Sequence, residues 1–416
     1  MPGPIHWEMS RESFESSRSW VYGEHCAPGA YLEGQRLRRQ AGSHASGLVT
    51  LLRRALKGLS SSTGGRLFEA IQIEVTSRCN LRCVMCPVTA LADRWDGRDL
   101  SWEAFLRIGG AFKNTKYVHL QGWGEPLLHP RLFDMIRIAK DAGCRVGFTT
   151  NGTLLDFMAS QRLLDLDIDL LAVSIAGVTR ETHGAIRVGS DLSRILENLR
   201  GLLALRNKRQ GLRPKVEIFF LMTKKNMAEL PAVADLAASL GVDELVATNL
   251  DYVPASDQDA LKAFADLSLR DACVRLVEDA RARAKAAGLA FRAYPLEREE
   301  VALCEANPLK ILFVSSDGWV SPCTYMGLTG QTTIPRFFNG HAIEVPRLRF
   351  GNIMERELLE IWESPTYRAF REKFISRRLA GMLLAGTAVA GLGQNTPKTL
   401  PEAPEPCRTC PKLFGV

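Results

Sequence analysis

Three cysteines in one short segment constrain this chain more than any other feature. The run Glu74-Val75-Thr76-Ser77-Arg78-Cys79-Asn80-Leu81-Arg82-Cys83-Val84-Met85-Cys86-Pro87 spaces its thiols C-x3-C-x2-C, directly after an alternating apolar stretch, Ile71–Val75, that reads as a strand. Soft thiolates suit iron–sulfur clusters or zinc. A four-iron cubane needs four ligands and the loop supplies three, so one iron keeps an open site where a substrate or cofactor can chelate. A closed tetrahedral zinc site also wants a fourth ligand, and none lies nearby in sequence. The spacing therefore favours a reactive cluster over a structural one.

The rest of the composition sets bounds. A chain of 416 residues has room for about two to three domains. Its 46% hydrophobic and 24% charged residues are ordinary globular usage. The net charge of +7 is spread along the chain, with no basic block interleaved with aromatics, so nucleic acid is not an expected partner. Met1 to Arg18 lacks an apolar signal core. The run Leu379 to Gly393, rich in Gly and Ala, is too short to span a bilayer. It reads as core, loop or partner contact. Ten cysteines clustered by motif point to metal binding in a reducing cytoplasm rather than to a disulfide framework.

Residues 1–65 read as an extension with one amphipathic stretch, Leu48–Leu59, and a Ser/Gly linker, Ser60–Gly65. From 70 to about 292, strand-like and helix-like segments alternate. The strands are expected at Ile71–Val75, Tyr117–Leu120, Arg145–Thr149, Leu170–Ser174, Val216–Leu221 and Glu244–Thr248. Helices are expected at Trp102–Phe112, Pro130–Ala142, Asp156–Leu166, Leu192–Arg209, Met227–Leu240 and Leu269–Ala287. Such βα repeats imply a parallel sheet with right-handed crossovers, either open or rolled into a barrel. From about 296 the pattern breaks into short strands, Ile311–Ser315 and Trp319–Pro322, among isolated cysteines and a Pro-rich tail from Thr396.

The cysteine loop after the first strand resembles the signature of the radical S-adenosylmethionine (radical SAM) superfamily, with Met85 where an aromatic is commoner. The resemblance implies an α/β fold, a partial (β/α)6 TIM-like barrel. It also implies a 4Fe–4S cluster on Cys79, Cys83 and Cys86 whose open iron binds SAM. One electron from the cluster then cleaves SAM to methionine and a 5′-deoxyadenosyl radical. After the second strand, Gly122-Trp123-Gly124-Glu125-Pro126 resembles the family's GGEP motif, with Trp123 replacing a glycine. By that match Gly124 and Glu125 hold the SAM ammonium, and Met85 joins the cofactor-binding set. Asn151 and Ser174, at the ends of the third and fourth strands, are expected at the ribose or carboxylate, and Met222 at the adenine. His183 and Arg187, in the loop after the fourth strand, could meet substrate or the SAM carboxylate, but solvated loop charges are the commoner outcome and both stay outside the expected site.

A second cysteine set follows: Cys304, Cys323 in Asp317-Gly318-Trp319-Val320-Ser321-Pro322-Cys323, and the pair Cys407 and Cys410. Four thiolates close one cluster, or a zinc ribbon. This set, with Phe350-Gly351-Asn352-Ile353 and Ile361-Trp362, resembles the Twitch domain, a shortened SPASM domain, and implies one auxiliary 4Fe–4S cluster. Cys26, Cys144 and Cys273 read as buried apolar thiols, with Cys273 the candidate hydrogen donor if there is one.

The expected organisation is an extension at 1–65, a radical SAM core at 66–295 and a small cysteine-rich auxiliary-cluster domain at 296–416. The resemblance implies a cytoplasmic oxidoreductase that oxidises, dehydrogenates or epimerises a small-molecule substrate. Its auxiliary cluster would transfer electrons, and a flavodoxin or ferredoxin-type protein would be the electron donor. Peptide or protein maturation is the alternative, and a non-enzymatic iron–sulfur carrier a further one.

Overall fold

The computed structural model of the chain describes residues 65–390 and 399–416, apart from residue 265 and the side chains of 267 and 385–390. The Leu48–Leu59 stretch, the Ser/Gly run before Gly65 and Cys26 lie outside the described residues. The six expected strands form at β1 (Phe68–Ile73), β2 (Thr115–His119), β3 (Arg145–Thr150), β4 (Leu170–Ser174), β5 (Lys215–Met222) and β6 (Glu244–Asn249). They pair in parallel in sequence order. One more parallel strand flanks them on each side: β7 (Ala290–Ala293) beside β6, and β8 (Ile311–Val314) beside β1. Beyond β8 the sheet continues antiparallel through β9 (Trp319–Ser321) to β12 (Gly351–Asn352). A separate hairpin joins β10 (Thr333–Phe338) to β11 (His341–Pro346). The result is the open, mostly parallel sheet of a partial barrel, with the crossover helices on one side.

Alternation along each strand assigns its two faces. On β5, Val216, Ile218, Phe220 and Met222 are all fully buried in one core cluster with helix residues such as Leu199, Leu202, Val233 and Ala237. Each such side chain contributes about 1.5–3 kcal/mol on burial. The opposite face is polar. Tyr117 Oη lies 3.3 Å from His119 Nδ1, and Lys215 binds Glu217 at 2.8 Å and Glu244 at 2.5 Å. The helices start where side-chain caps permit: Ser101 accepts from Ala104 N at 3.1 Å and Asp156 from Ala159 N at 2.8 Å. The Leu379–Gly393 run enters helix Pro365–Ala390, with residues 391–398 outside the described residues. Among the described residues, no helix is long and apolar enough to cross a membrane.

Candidate active site

The cysteine loop sits at the C-terminal end of β1, the end where sites of such sheets gather. Its backbone is pinned by Arg82 N donating to Val188 O and Val84 N to Ile186 O, both at 2.9 Å. Gln258 donates to Val84 O at 2.9 Å. Cys79, Cys83 and Cys86 share a small apolar cluster with Leu81, Met85, Ala176, Ile186 and Leu250. Burial pushes the Cys79 and Cys86 thiols up, and neighbouring thiols push them further, while Arg187 pulls them down. Thiols give up their protons when a metal takes them as ligands. That donor set fits the open-sited iron–sulfur group that the loop implies.

The loop after β2 locks against this one. Glu125 N donates to Arg78 O at 2.8 Å. A Cβ on Gly124 would lie 2.3 Å from Thr76 O and 2.5 Å from Arg78 O, so only glycine allows this approach. Glu125 is 2% exposed. Its carboxylate accepts from Thr150 Oγ1 at 2.7 Å, Asn151 N at 2.7 Å and Leu127 N at 3.1 Å. Burial pushes this carboxyl above its ordinary range, while those donors and Arg187 draw it down. Three of roughly four acceptor positions are taken, which leaves one for a ligand cation. Asn151 donates through Nδ2 to Asn80 Oδ1 at 2.8 Å, tying the end of β3 to the cysteine loop. Ser174 ends β4 on the polar face, 9% exposed.

Met222, expected at the adenine, ends β5. Its side chain lies in the helix-facing core, and the neighbouring Leu221 packs on the cysteine-loop cluster instead. Strand alternation is the reason: a shift of one residue changes the face. The Arg187 charge acts on Cys79, Cys86 and Glu125, which favours the SAM-carboxylate alternative for this residue over a solvated loop charge. His183 is fully buried, and its Nδ1 accepts from Ala176 N at 3.2 Å. Burial lowers this imidazole to about 4, so it braces the β4 loop as a neutral ring. Cys273 lies in the large core cluster, and the three loop cysteines belong to a separate one. Cys144 points at Phe112 O and Thr115 O, each at 3.3 Å.

Cys304, Cys323, Cys407 and Cys410 line one further cavity, together with Tyr325, Met326, Arg336 and Lys412. Burial raises the Cys304, Cys323 and Cys407 thiols, Cys323 to about 12, and each of these three senses neighbouring thiols of the set. Among the described residues, no three metal-ligating side chains close on a single-ion position. Four thiols lining one cavity are the full donor set for one four-iron group. The Gly351-Asn352-Ile353 segment is structural: Ile353 N donates to Gly318 O at 2.9 Å, and the Trp362 ring meets Phe68 edge-on at 5.0 Å. An aromatic group links the two thiol sets. Trp123 lies 5.5 Å from Tyr252 and 6.1 Å from Tyr325, centroid to centroid, and Trp123 Nε1 donates to Thr324 O at 3.4 Å.

Comparison with known proteins agrees with this geometry. The family model described as the radical SAM superfamily matches residues 73–237, and that of the SPASM iron–sulfur cluster-binding domain matches 304–383. The tungsten-containing aldehyde ferredoxin oxidoreductase cofactor-modifying protein of Pyrococcus furiosus is 29% identical over 72% of this chain and 82% of its own length. The AdoMet-dependent heme synthase of Methanosarcina barkeri is 27% identical over 72% of this chain and 83% of its own. Among solved structures, Streptococcus suis SuiB bound to S-adenosylmethionine superposes with a TM-score of 0.55 at 17% identity, covering 82% of this chain and 78% of SuiB. With both thiol sets placed and both family models matched, the chain belongs to the radical SAM superfamily and carries a C-terminal SPASM-type iron–sulfur domain.

Proposed function

We propose that this chain is a radical SAM oxidoreductase that modifies a small molecule, with residues 66–295 as the catalytic core and 296–416 as the auxiliary-cluster domain. The observation that carries the reading is the junction between the thiol sets, where the Glu125 loop presents Trp123 to the segment that follows Cys323. Bound in the first site, the cluster and SAM supply a 5′-deoxyadenosyl radical that abstracts hydrogen. Cys79, Cys83 and Cys86 would hold the first cluster, with Met85 in the apolar group around the three thiols. Glu125, with the backbone at Gly124, would take the SAM ammonium, and Arg187, whose charge acts on Cys79, Cys86 and Glu125, would answer its carboxylate. Asn151 fixes the cysteine loop against β3, and Ser174 offers a hydroxyl at the end of β4. Cys304, Cys323, Cys407 and Cys410 would hold the auxiliary cluster, which would supply electron transfer. A flavodoxin or ferredoxin-type protein reduces the enzyme.

The names of the two relatives aligned over most of their length, a cofactor-modifying protein and a heme synthase, favour a cofactor-like substrate. A peptide substrate is the second reading. It rests on SuiB bound to its precursor peptide SuiA, which covers 93% of this chain at 15% identity and a TM-score of 0.52, a likeness of fold alone.

The test is reductive SAM cleavage by anaerobically reconstituted protein, followed as 5′-deoxyadenosine release. Wild type should cleave SAM, and Glu125→Ala should bind it at least tenfold more weakly with unchanged iron. No cleavage by the wild type refutes the function. Normal binding by the variant refutes the role of Glu125.

A further inference from the structure

Arg336 sits on β10, 3% exposed, at the wall of the four-thiol cavity. Its guanidinium donates to Pro406 O at 2.6 Å, to Thr409 Oγ1 at 3.4 Å and to Met326 Sδ at 2.9 Å. All three acceptors are neutral. Other buried arginines of this chain have carboxylates: Arg347 meets Asp317 at 2.8 Å and Arg377 meets Glu300 at 2.8 Å. The second cation at the cavity, Lys412, is held between Asp251 at 2.7 Å and Glu305 at 2.5 Å, so its charge is spent. Among the described residues, no carboxylate lies within ion-pair distance of Arg336.

A buried, unpaired guanidinium is costly unless an anion answers it. The anion on offer is the set of thiolates that Arg336 helps to enclose. We propose that Arg336 is a redox-tuning residue, a fixed cation that raises the reduction potential of the iron–sulfur group held by Cys304, Cys323, Cys407 and Cys410. The inference rests on the reading of those four residues as ligands. Its physics is simple. One-electron reduction adds a negative charge to the site, and a nearby cation in a desolvated wall favours the more negative state. The bonds to Pro406 and Thr409 hold the guanidinium against the Cys407–Cys410 turn. Lys412, neutralised by two carboxylates, contributes little net field.

The experiment uses full-length chain carrying Cys79→Ala, Cys83→Ala and Cys86→Ala, so that the auxiliary site alone binds iron. Absence of iron in that parent would defeat the ligand reading itself, separately from Arg336. In it, Arg336→Gln keeps hydrogen-bond donors and removes the charge, and Arg336→Lys keeps the charge. Iron and sulfide content and the midpoint potential, from an electron-paramagnetic-resonance redox titration, are measured for all three proteins. The expected result is equal iron, a lower midpoint for Arg336→Gln, and a midpoint for Arg336→Lys near the parent's. An unchanged midpoint in Arg336→Gln overturns the proposal. So does equal loss of auxiliary iron in both variants, which would make Arg336 a brace for the turn and nothing more.

Discussion

Adding one methyl group at Gly124 tests how the two loops of the first site depend on each other. The new Cβ of Gly124→Ala would stand 2.3 Å from Thr76 O, 2.5 Å from Arg78 O and 2.9 Å from Ser77 C. These are backbone atoms, so no side chain can swing aside. Ordinary contact needs about 1 Å more, and overpacking of this kind costs about 1–3 kcal/mol. Parting the loops by that much also breaks the 2.8 Å bond from Glu125 N to Arg78 O, worth about 0.5–1.5 kcal/mol. The sum is about 1.5–4.5 kcal/mol, set at the place where SAM is proposed to bind. If binding must restore the wild-type approach, the SAM dissociation constant rises by a factor of about 10 to 2,000. Equilibrium dialysis of reconstituted protein with labelled SAM measures it, with auxiliary iron as the folding control. A dissociation constant within threefold of wild type, with iron intact, would refute the claim that this contact shapes the SAM site.

Reconstituted wild type should hold about eight irons per chain, two four-iron clusters, and alanine at Cys79, Cys83 and Cys86 should remove about half of it; stoichiometric zinc in the remainder sinks the auxiliary cluster. Cys407→Ala should keep dithionite-driven SAM cleavage but lose substrate turnover, with circular dichroism to exclude unfolding; a folded variant with full turnover makes the second site structural. Asp317→Asn leaves Arg347, fully buried, without its counter-charge and should destabilise the C-terminal segment by about 3–5 kcal/mol in denaturant melts. Burial pushes the Asp317 carboxyl up, but Arg347 and Ser315 draw it net below its ordinary value. Its stabilisation is therefore full above about pH 4 and fades as pH falls through the lowered value; an unchanged acid limb in Asp317→Asn contradicts this.

Local signals carried most of the core. All six strands appear within a few residues of their expected bounds, because alternating apolar runs and capping residues are properties of neighbours in sequence. Register is not such a property, which is why Met222 and Leu221 exchange faces. The missed hairpin had its signal in plain view. Asn339-Gly340, with φ of 50° and 81°, forms the two-residue loop between Phe338 and His341, a strong hairpin cue. Pro335 inside the run speaks against a strand, and Arg336 was passed over with it. The four auxiliary thiols were legible by spacing, yet the aromatic bridge of Trp123, Tyr252 and Tyr325 draws on residues far apart in sequence. Only the fold brings such residues together.

The parallel pairing of β8 with β1 has a consequence for how the chain is made. Phe68 and Ile311 lie about 240 residues apart, so the ribosome delivers β1 long before its partner on that side. At roughly 5–20 residues per second, the interval is about 12–50 s. Throughout it, β1 presents an unpaired edge carrying Ile71 and Ile73, and open strand edges recruit other chains. The cysteine loop hangs from the far end of that same strand. A nascent chain that met iron in this interval would load its first thiol set on an unfinished sheet, so metal delivery and the arrival of Ile311–Val314 compete in time.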